Sequence, residues 1–139
     1  MLTTLSLVKV TVTWEPQMNY LFLAYQDEER WANMSESERA LIEEACLIDE
    51  QSLRQSGHLF ALENLQDNDT AITVQIVDGK ISLTESISAE TKGRLLQLFF
   101  INARDLNEAI HLISKMPQTR KGPVEVRSIL KSNWQQFEI

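Results

Sequence analysis

The amino-acid sequence predicts an α+β fold in which an antiparallel sheet carries two helices on one of its faces. Segments with the two-residue period of strands alternate with two segments that have the period of helices, an order typical of this class. The dipeptide Asp78-Gly79 lies between two apolar segments and indicates a tight hairpin, which requires antiparallel strands. The 139 residues contain no repeat or linker and suit a single domain with one core.

Two strands are predicted before the first helix. Residues 8–14 alternate apolar and polar side chains, as expected of a half-buried strand. Residues 19–25 are almost entirely apolar and predict a second strand. Residues 26–33 are then expected to form a polar connection, which carries Trp31.

The first helix has sequence signals at both of its ends. Ser35 is a suitable N-cap, and Glu38, three positions later, completes the pattern of a capping box. Gly57 is expected to end the helix on its C-terminal side. The residues predicted to face the core are Leu41, Ala45 and Ile48, with Ile42 and Leu53 beside them.

The second half of the chain predicts five strands and one more helix. Asp105 and Glu108 repeat the spacing of cap and acidic residue at the start of this helix, and Met116-Pro117 ends it. Its predicted inward residues are Leu106, Ala109, Ile110 and Ile113. The predicted strands are residues 58–62, 71–77, 80–84, 95–103 and 124–130.

Two of the predicted strands are apolar on both sides. The only polar groups at residues 20–25 are two tyrosine hydroxyls, and the only polar side chain at residues 95–101 is Gln97. Two helices on one sheet face leave the other face uncovered, whereas strands of this composition need cover on both sides. The sequence therefore predicts a homodimer in which the two sheets pack against each other.

Charge and composition disfavour several classes of partner. Thirteen Lys and Arg against twenty Asp and Glu give a formal net charge of −7, without a basic stripe for nucleic-acid phosphates. No apolar run reaches the ~20 residues of a membrane helix, and residues 1–14 lack the features of a signal peptide. We therefore expect a cytoplasmic protein that binds neither nucleic acid nor membranes. Cys46 is the only cysteine, and its apolar helical neighbours favour a packing role over a reactive thiol.

The candidates for acid–base catalysis are grouped around His58. This histidine opens a predicted strand directly after Gly57 and has the chemistry of a general base. Its carboxylate partner would then be Glu63 or Glu90. The alternative interpretation, which the residue pattern favours, is a histidine that is exposed or hydrogen-bonded at the end of a strand.

The candidate ligand-binding residues are charged residues that alternate along extended segments. Glu90 and Lys92 would share a face, as would Glu125 and Arg127 in the last strand. Arg127 is the better group for binding an anion, because its planar guanidinium can grip a carboxylate through two hydrogen bonds. The alternatives are a surface ion pair for Glu90 and Lys92 and a cross-strand salt bridge for Arg127. Neither metal-ligand spacing nor a glycine-rich phosphate loop is present, so we predict no metal and no cofactor.

Nine short motifs have an order and spacing similar to those of a known family. They are MNYLFLAY at 18–25, Trp31, SESER at 35–39, GHL at 57–59, ENL at 63–65, DGK at 78–80, AETK at 89–92, DLNEA at 105–109 and GPVEVR at 122–127. Together they resemble the YCII-related proteins of the DGPF-domain group. The resemblance covers about residues 18–130, so residues 1–17 would form an N-terminal extension with an added strand, and residues 131–139 a C-terminal tail.

The resemblance implies a ferredoxin-like fold that pairs as a dimeric α/β barrel, in agreement with the packing prediction. It also implies a bacterial protein of a family without a secure general activity. Some relatives look like enzymes with a histidine and an aspartate in a pocket, whereas others accompany extracytoplasmic-function sigma factors. A small-molecule ligand and a link to sigma-factor regulation are therefore what the resemblance implies for this chain.

The loop before residues 89–92 departs from the family pattern. The Asp-Gly-Pro-Phe tetrad of the family is replaced by Glu85-Ser86-Ile87-Ser88, which removes a turn glycine and a rigid proline. Glu85 keeps a carboxylate and joins Lys92 and Arg127 as a candidate ligand-binding residue. The altered loop favours a non-enzymatic homodimer that binds a small ligand or has a regulatory role. The alternative is a small dimeric α/β-barrel enzyme that uses His58 with a carboxylate as acid and base.

Overall fold

The structure, a computed structural model, describes residues 17–66, 71–85 and 93–130. Helices and antiparallel strands both occur in this part of the chain, so the predicted α+β class is confirmed. The strand predicted at residues 8–14, the turn predicted at residues 67–69 and the tail at residues 131–139 lie outside the described residues.

The described helices and strands follow the predicted order. The strands are β1 (Met18–Gln26), β2 (Leu59–Asn64), β3 (Ile72–Val77), β4 (Lys80–Glu85), β5 (Arg94–Ala103) and β6 (Val124–Ser128). The helices are α1 (Glu28–Ala32), α2 (Glu36–Gln55) and α3 (Leu106–Ser114), with a 3₁₀-helix at Pro117–Arg120. The sequence did not predict α1 or the 3₁₀-helix, because elements of five and four residues are too short to show an apolar period.

Four strands form the main sheet in the order β2-β5-β1-β6, and all neighbours are antiparallel. β1 and β2 consequently run in the same direction with β5 between them, and β5 and β6 run in the same direction with β1 between them. This is a split strand–helix–strand arrangement. The hairpin of β3 and β4 is a separate two-stranded sheet inserted in the chain between β2 and β5.

The long helices α2 and α3 pack on the same face of the main sheet. Burial alternates along β1, and Phe22 of β1 lies directly opposite Phe99 of β5, both fully buried. Leu53 of α2 and Ala109 of α3 belong to the same core cluster. The other buried members of this cluster are Tyr20, Ala24, Leu59, Ile101, Ala103 and Met116.

The ends of α2 are those that the sequence predicts. The hydroxyl of Ser35 accepts a hydrogen bond from the Glu38 N–H at 3.1 Å, and the Glu38 carboxylate accepts one from the Ser35 N–H at 3.4 Å. At the other end, Gly57 has a φ of 84° and the His58 N–H donates to the Leu53 carbonyl at 3.1 Å. These contacts form a capping box and a Schellman motif.

The predicted inward face of α2 is confirmed only in part. Leu41 and Ile48 are 65% and 61% exposed, whereas Ile42, Cys46 and Leu53 are buried. Apolar residues occupy more of this helix than one stripe, and the sheet and the 3₁₀-helix cover only the stripe with the buried residues. In α3, likewise, only part of the predicted face is buried. Ala109 is fully buried, whereas Leu106 and Ile110 are about half exposed.

Two glycines let the backbone approach closely at the end of β1. A Cβ atom at Gly93, whose φ is 96°, would overlap the carbonyl oxygen of Gln26 and lie 2.9 Å from its carbonyl carbon. A Cβ atom at Gly122 would overlap the carbonyl oxygen of Tyr25 and lie 2.9 Å from the Asp27 nitrogen. The segments that enter β5 and β6 therefore pack directly on the backbone of β1.

Candidate functional site

The face of the main sheet opposite the helices, here called the outer face, has an apolar centre. β1 contributes Leu21 and Leu23, and β5 contributes Leu98 and Phe100. Leu21 is paired with Phe100 and Leu23 with Leu98, and all four side chains are half-buried. The ring of Phe60, at an irregularity in β2, lies 6.2 Å from that of Phe100 and extends this centre.

Charged side chains flank the apolar centre on both edge strands of the main sheet. On β6, Glu125 and Arg127 are paired with the two β1 leucines, so both lie on the outer face, as their alternation predicts. On β2, Glu63 is paired with Leu98 and lies on the same face. Glu63 and Glu125 are three strand spacings apart, a distance of roughly 14 Å.

Arg127 forms an ion pair within its own strand. Its Nη2 and Nε atoms lie 3.2 and 3.3 Å from Oε2 of Glu125, and the hydroxyl of Tyr25 donates to Oε1 of the same carboxylate at 3.1 Å. The expected salt bridge of Arg127 is thus present on one strand and not across two strands. An exposed pair of this kind contributes only about 0–1 kcal/mol, so a ligand carboxylate can compete with Glu125 for the guanidinium.

His58 lies at the start of β2 and is held by the main chain of β5. Its Nδ1 is 2.9 Å from the carbonyl oxygen of Asn102, and because a carbonyl oxygen only accepts hydrogen bonds, Nδ1 carries the proton. Glu63 lies five residues further along the same chain segment, roughly 15 Å away in an extended strand. The structure therefore does not bring Glu63 to His58 as its carboxylate partner.

The other three candidate residues are Glu85, at the start of the altered loop, and Glu90 and Lys92, which follow it in the sequence. The main chain of Glu85 ends β4, where it is paired with Ile72 of β3. Glu90 and Lys92 lie outside the described part of the chain. Their proposed roles stay predictions.

A group of charged side chains that the sequence did not single out lies between α2 and the 3₁₀-helix. Lys121 is buried, forms an ion pair with Glu43 and has its Nζ atom 5.0 Å from the centre of the Trp31 ring. The guanidinium of Arg39 lies 5.8 Å from the same ring and donates to the Trp31 carbonyl at 3.0 Å. These cation–π and ion-pair contacts join α1, α2 and the segment after the 3₁₀-helix.

A cavity of about 430 Å³ lies at the N-terminal end of α2. Its volume falls within the range of small-molecule sites. Its lining residues are Met34, Glu38, Leu41, Ile42 and Arg120. Of the candidate site residues whose side chains the structure describes, His58, Glu63 and Arg127, none lines this cavity.

Two titratable groups lie on the side of α2 that faces the core. Burial raises the pKa of the Cys46 thiol to about 11, although the nearby Lys121 lowers it. The thiol is therefore protonated at neutral pH and serves as a packing residue, as the sequence predicts. Burial also raises the pKa of Asp49, whose Oδ2 atom is buried without a hydrogen-bond partner. The sequence did not identify Asp49, since a single acidic residue in a helix carries no motif.

Two negative findings apply to the residues that the structure describes. No three His, Cys, Asp or Glu side chains among them are grouped so that they could hold a metal ion. None of their helices combines the length and the apolar character that crossing a membrane requires.

Comparison with known proteins places the chain in a family. The family model of the YCII-related domain matches residues 18–133. The chain belongs to the YCII-related domain family. No curated protein matches it significantly. The resemblance seen in the nine motifs is thereby confirmed for the YCII-related family, while membership of its DGPF-domain group stays a prediction. The six strands that the structure describes, and with them the outer face, lie within the residues that match the YCII-related model.

Proposed function

We propose that this YCII-related protein is a non-enzymatic homodimer that binds a small ligand or has a regulatory role. The outer face carries this proposal, because its apolar centre lies between two charged edges. Contacts between subunits commonly have an apolar core and a polar rim. In the proposed assembly, two ferredoxin-like sheets pack through their outer faces and form a dimeric α/β barrel.

Arg127 supplies the proposed ligand-binding group at the edge of this dimer. Its guanidinium is exposed and carries a planar set of donors, while its partner Glu125 is also held by Tyr25. These features support a small anionic ligand with a carboxylate or phosphate group. Lys92 and Glu85 are the further proposed contacts, and a regulatory link to a sigma factor rests on the family resemblance.

Leu98→Lys is expected to dissociate the homodimer. The substitution places a charged group in the apolar centre twice per dimer, once from each copy, so we expect the dissociation constant to rise about a hundredfold or more. Sedimentation equilibrium of the full chain across nanomolar to micromolar concentrations measures this change. Leu47→Lys is the matched control, because Leu47 is exposed on α2 and the same substitution there leaves the outer face unchanged.

Two results would contradict the proposed homodimer. The first is a wild-type protein whose mass is that of a monomer at every concentration. The second is a Leu98→Lys protein that is folded and has the same dissociation constant as the Leu47→Lys control.

Small carboxylates are expected to bind next to Arg127. Titration with acetate and benzoate should shift the NMR signals of the Arg127 Nε–H group and of the β6 amides. Arg127→Gln removes the charged fork and should weaken binding at least about tenfold. Arg54→Gln removes an exposed arginine that, like Arg127, is paired with a glutamate of its own element, and it should leave the titration unchanged. Equal binding by both variants would remove Arg127 from the proposed site.

The alternative, a small dimeric α/β-barrel enzyme that uses His58, has less support. Glu63 is too far along β2 to serve as the carboxylate partner of His58. The described cavity of about 430 Å³ contains neither residue. The pairing of His58 with Glu90 stays a prediction from the sequence.

A further inference from the structure

The hairpin of β3 and β4 has one apolar face that is exposed. Five aliphatic side chains lie on this face, and each is between 60% and 70% exposed. Val74 is paired with Leu83 and Ile76 with Ile81, so the five form a continuous strip. The members of this strip, here called the apolar strip, are Ile72, Val74, Ile76, Ile81 and Leu83.

The opposite face of the hairpin is polar for most of its length. Thr73 and Gln75 of β3 lie on that face, paired with Thr84 and Ser82 of β4. Asp78 and Gly79 have φ angles of 52° and 76°, as a type I′ turn requires, so the register that separates the two faces is fixed by the turn. The hairpin is therefore amphipathic, with one apolar and one mainly polar face, as in sheets that pack against another surface on their apolar side.

An exposed strip of this kind needs a covering surface. An isolated two-stranded hairpin is at best marginally stable in water, because it buries no apolar face. Five aliphatic side chains at this exposure form a patch of several hundred Å², which reaches the size of the largest apolar patch on a typical monomer, about 300–600 Å². Such patches commonly mark contacts with another molecule.

The surface area that a stable dimer must bury favours a second copy of this chain as the molecule that covers the apolar strip. Each partner in a stable complex buries roughly 800 Å². The four side chains at the centre of the outer face are already half-buried and supply far less than this area alone. A twofold dimer uses every surface twice, so the apolar strip of each copy would add its several hundred Å² to each side of the contact.

We propose that the apolar strip of the β3–β4 hairpin packs on a second copy of this chain, so that each hairpin is an arm that clasps the partner subunit. This inference rests on the homodimer proposed above and adds a second contact to it. The hairpin joins β2 to β5, two strands whose side chains form part of the outer face, so the two contact surfaces are neighbours in the chain. None of the five side chains of the apolar strip is charged, so the strip itself adds no repulsion from a partner of the same net charge of −7. The acidic position of this face, Glu85, is paired with Ile72 at the end of the strip.

Val74→Lys tests the arm without changing the outer face. We expect the dissociation constant of the full-length dimer, measured by sedimentation equilibrium, to rise about a hundredfold or more, since a lysine would enter an apolar contact from both copies. Gln75→Lys is the matched control, because it adds the same charge to the next residue of β3 on the polar face. This control should keep the wild-type dissociation constant within about threefold, as expected of a position outside the contact.

A second measurement on the wild-type dimer does not depend on the folding of any variant. In a mixture of isotope-labelled and unlabelled chains, NOEs filtered for contacts between copies should connect the methyl groups of the apolar strip with the other copy. The inference would be overturned if these NOEs between copies were missing from the dimer and unfiltered spectra connected the methyl groups with residues 1–16 instead, because the chain's own N-terminal segment would then cover the strip.

The outcomes separate the failure of this inference from the failure of the proposed dimer. If the wild type dimerises, Leu98→Lys dissociates it and Val74→Lys matches Gln75→Lys, the arm is wrong and the dimer stands. If the wild type is a monomer at every concentration, both proposals fail.

Discussion

Gly93→Ala is expected to lower the free energy of unfolding by about 3 kcal/mol or more. The added Cβ would overlap the Gln26 carbonyl oxygen. Gln26 belongs to β1 and Gly93 directly precedes its paired strand β5, so neither backbone can move aside at small cost. The φ of 96° adds the conformational cost that a side chain meets in this region, about 1–2 kcal/mol. Urea unfolding followed by circular dichroism measures the loss.

Gly57→Ala is the matched control for this prediction. Gly57 also has a positive φ, 84°, but a Cβ atom there would have nothing within 4 Å. The control therefore carries only the conformational cost, about 1–2 kcal/mol. The difference between the two variants isolates the close approach of β1 and the start of β5. Equal losses for the two variants would show that the backbone at Gly93 yields to the new methyl group.

The order of helices and strands could be predicted because local signals fix it. Ser35 with Glu38, and Asp105 with Glu108, cap their helices as the spacing predicts. Asp78-Gly79 forms the predicted turn. Each of these features depends on contacts within a few residues, which the sequence displays directly.

The rotation of α2 could not be predicted because it depends on contacts distant in sequence. Leu41 and Ile42 are neighbours in the chain and belong to different apolar stripes of the same helix. The position of the 3₁₀-helix decides which stripe is buried, and its four residues show no period. The sequence therefore predicts that α2 has an apolar face, but the rotation of the helix about its axis stays uncertain by about one residue, or 100°.

In the candidate site, too, the features set by neighbouring residues could be predicted, whereas those that depend on distant contacts could not. The alternation of Glu125 and Arg127 places both on one face of β6, as the two-residue period of a strand requires. The pairing of His58 with Glu63, by contrast, required a residue directly before β2 to meet one near the other end of that strand. A strand rises about 3.3 Å for each residue, so five residues of extended chain keep them apart.

Phe99→Ala is expected to cost about 3–5 kcal/mol of stability, the usual cost of deleting a fully buried phenyl ring. Phe99 is 0% exposed and pairs with Phe22 at the centre of the core. Because small domains are stable by only about 5–15 kcal/mol, this loss brings the protein close to unfolding. The helix-covered face is formed within a single chain, so the loss should be the same at all protein concentrations.

Phe100→Ala should behave differently although it changes the next residue of the same strand. Phe100 points to the outer face, where it contacts Phe60 and is half-buried within one subunit. If two outer faces meet, the wild-type urea midpoint rises with protein concentration, because association stabilises the folded state by mass action. Phe100→Ala should then make the urea midpoint less dependent on protein concentration. Phe99→Ala should lower the midpoint at every concentration and leave its dependence on concentration as in the wild type. A wild-type midpoint that is independent of concentration would contradict the dimer by a measurement separate from sedimentation.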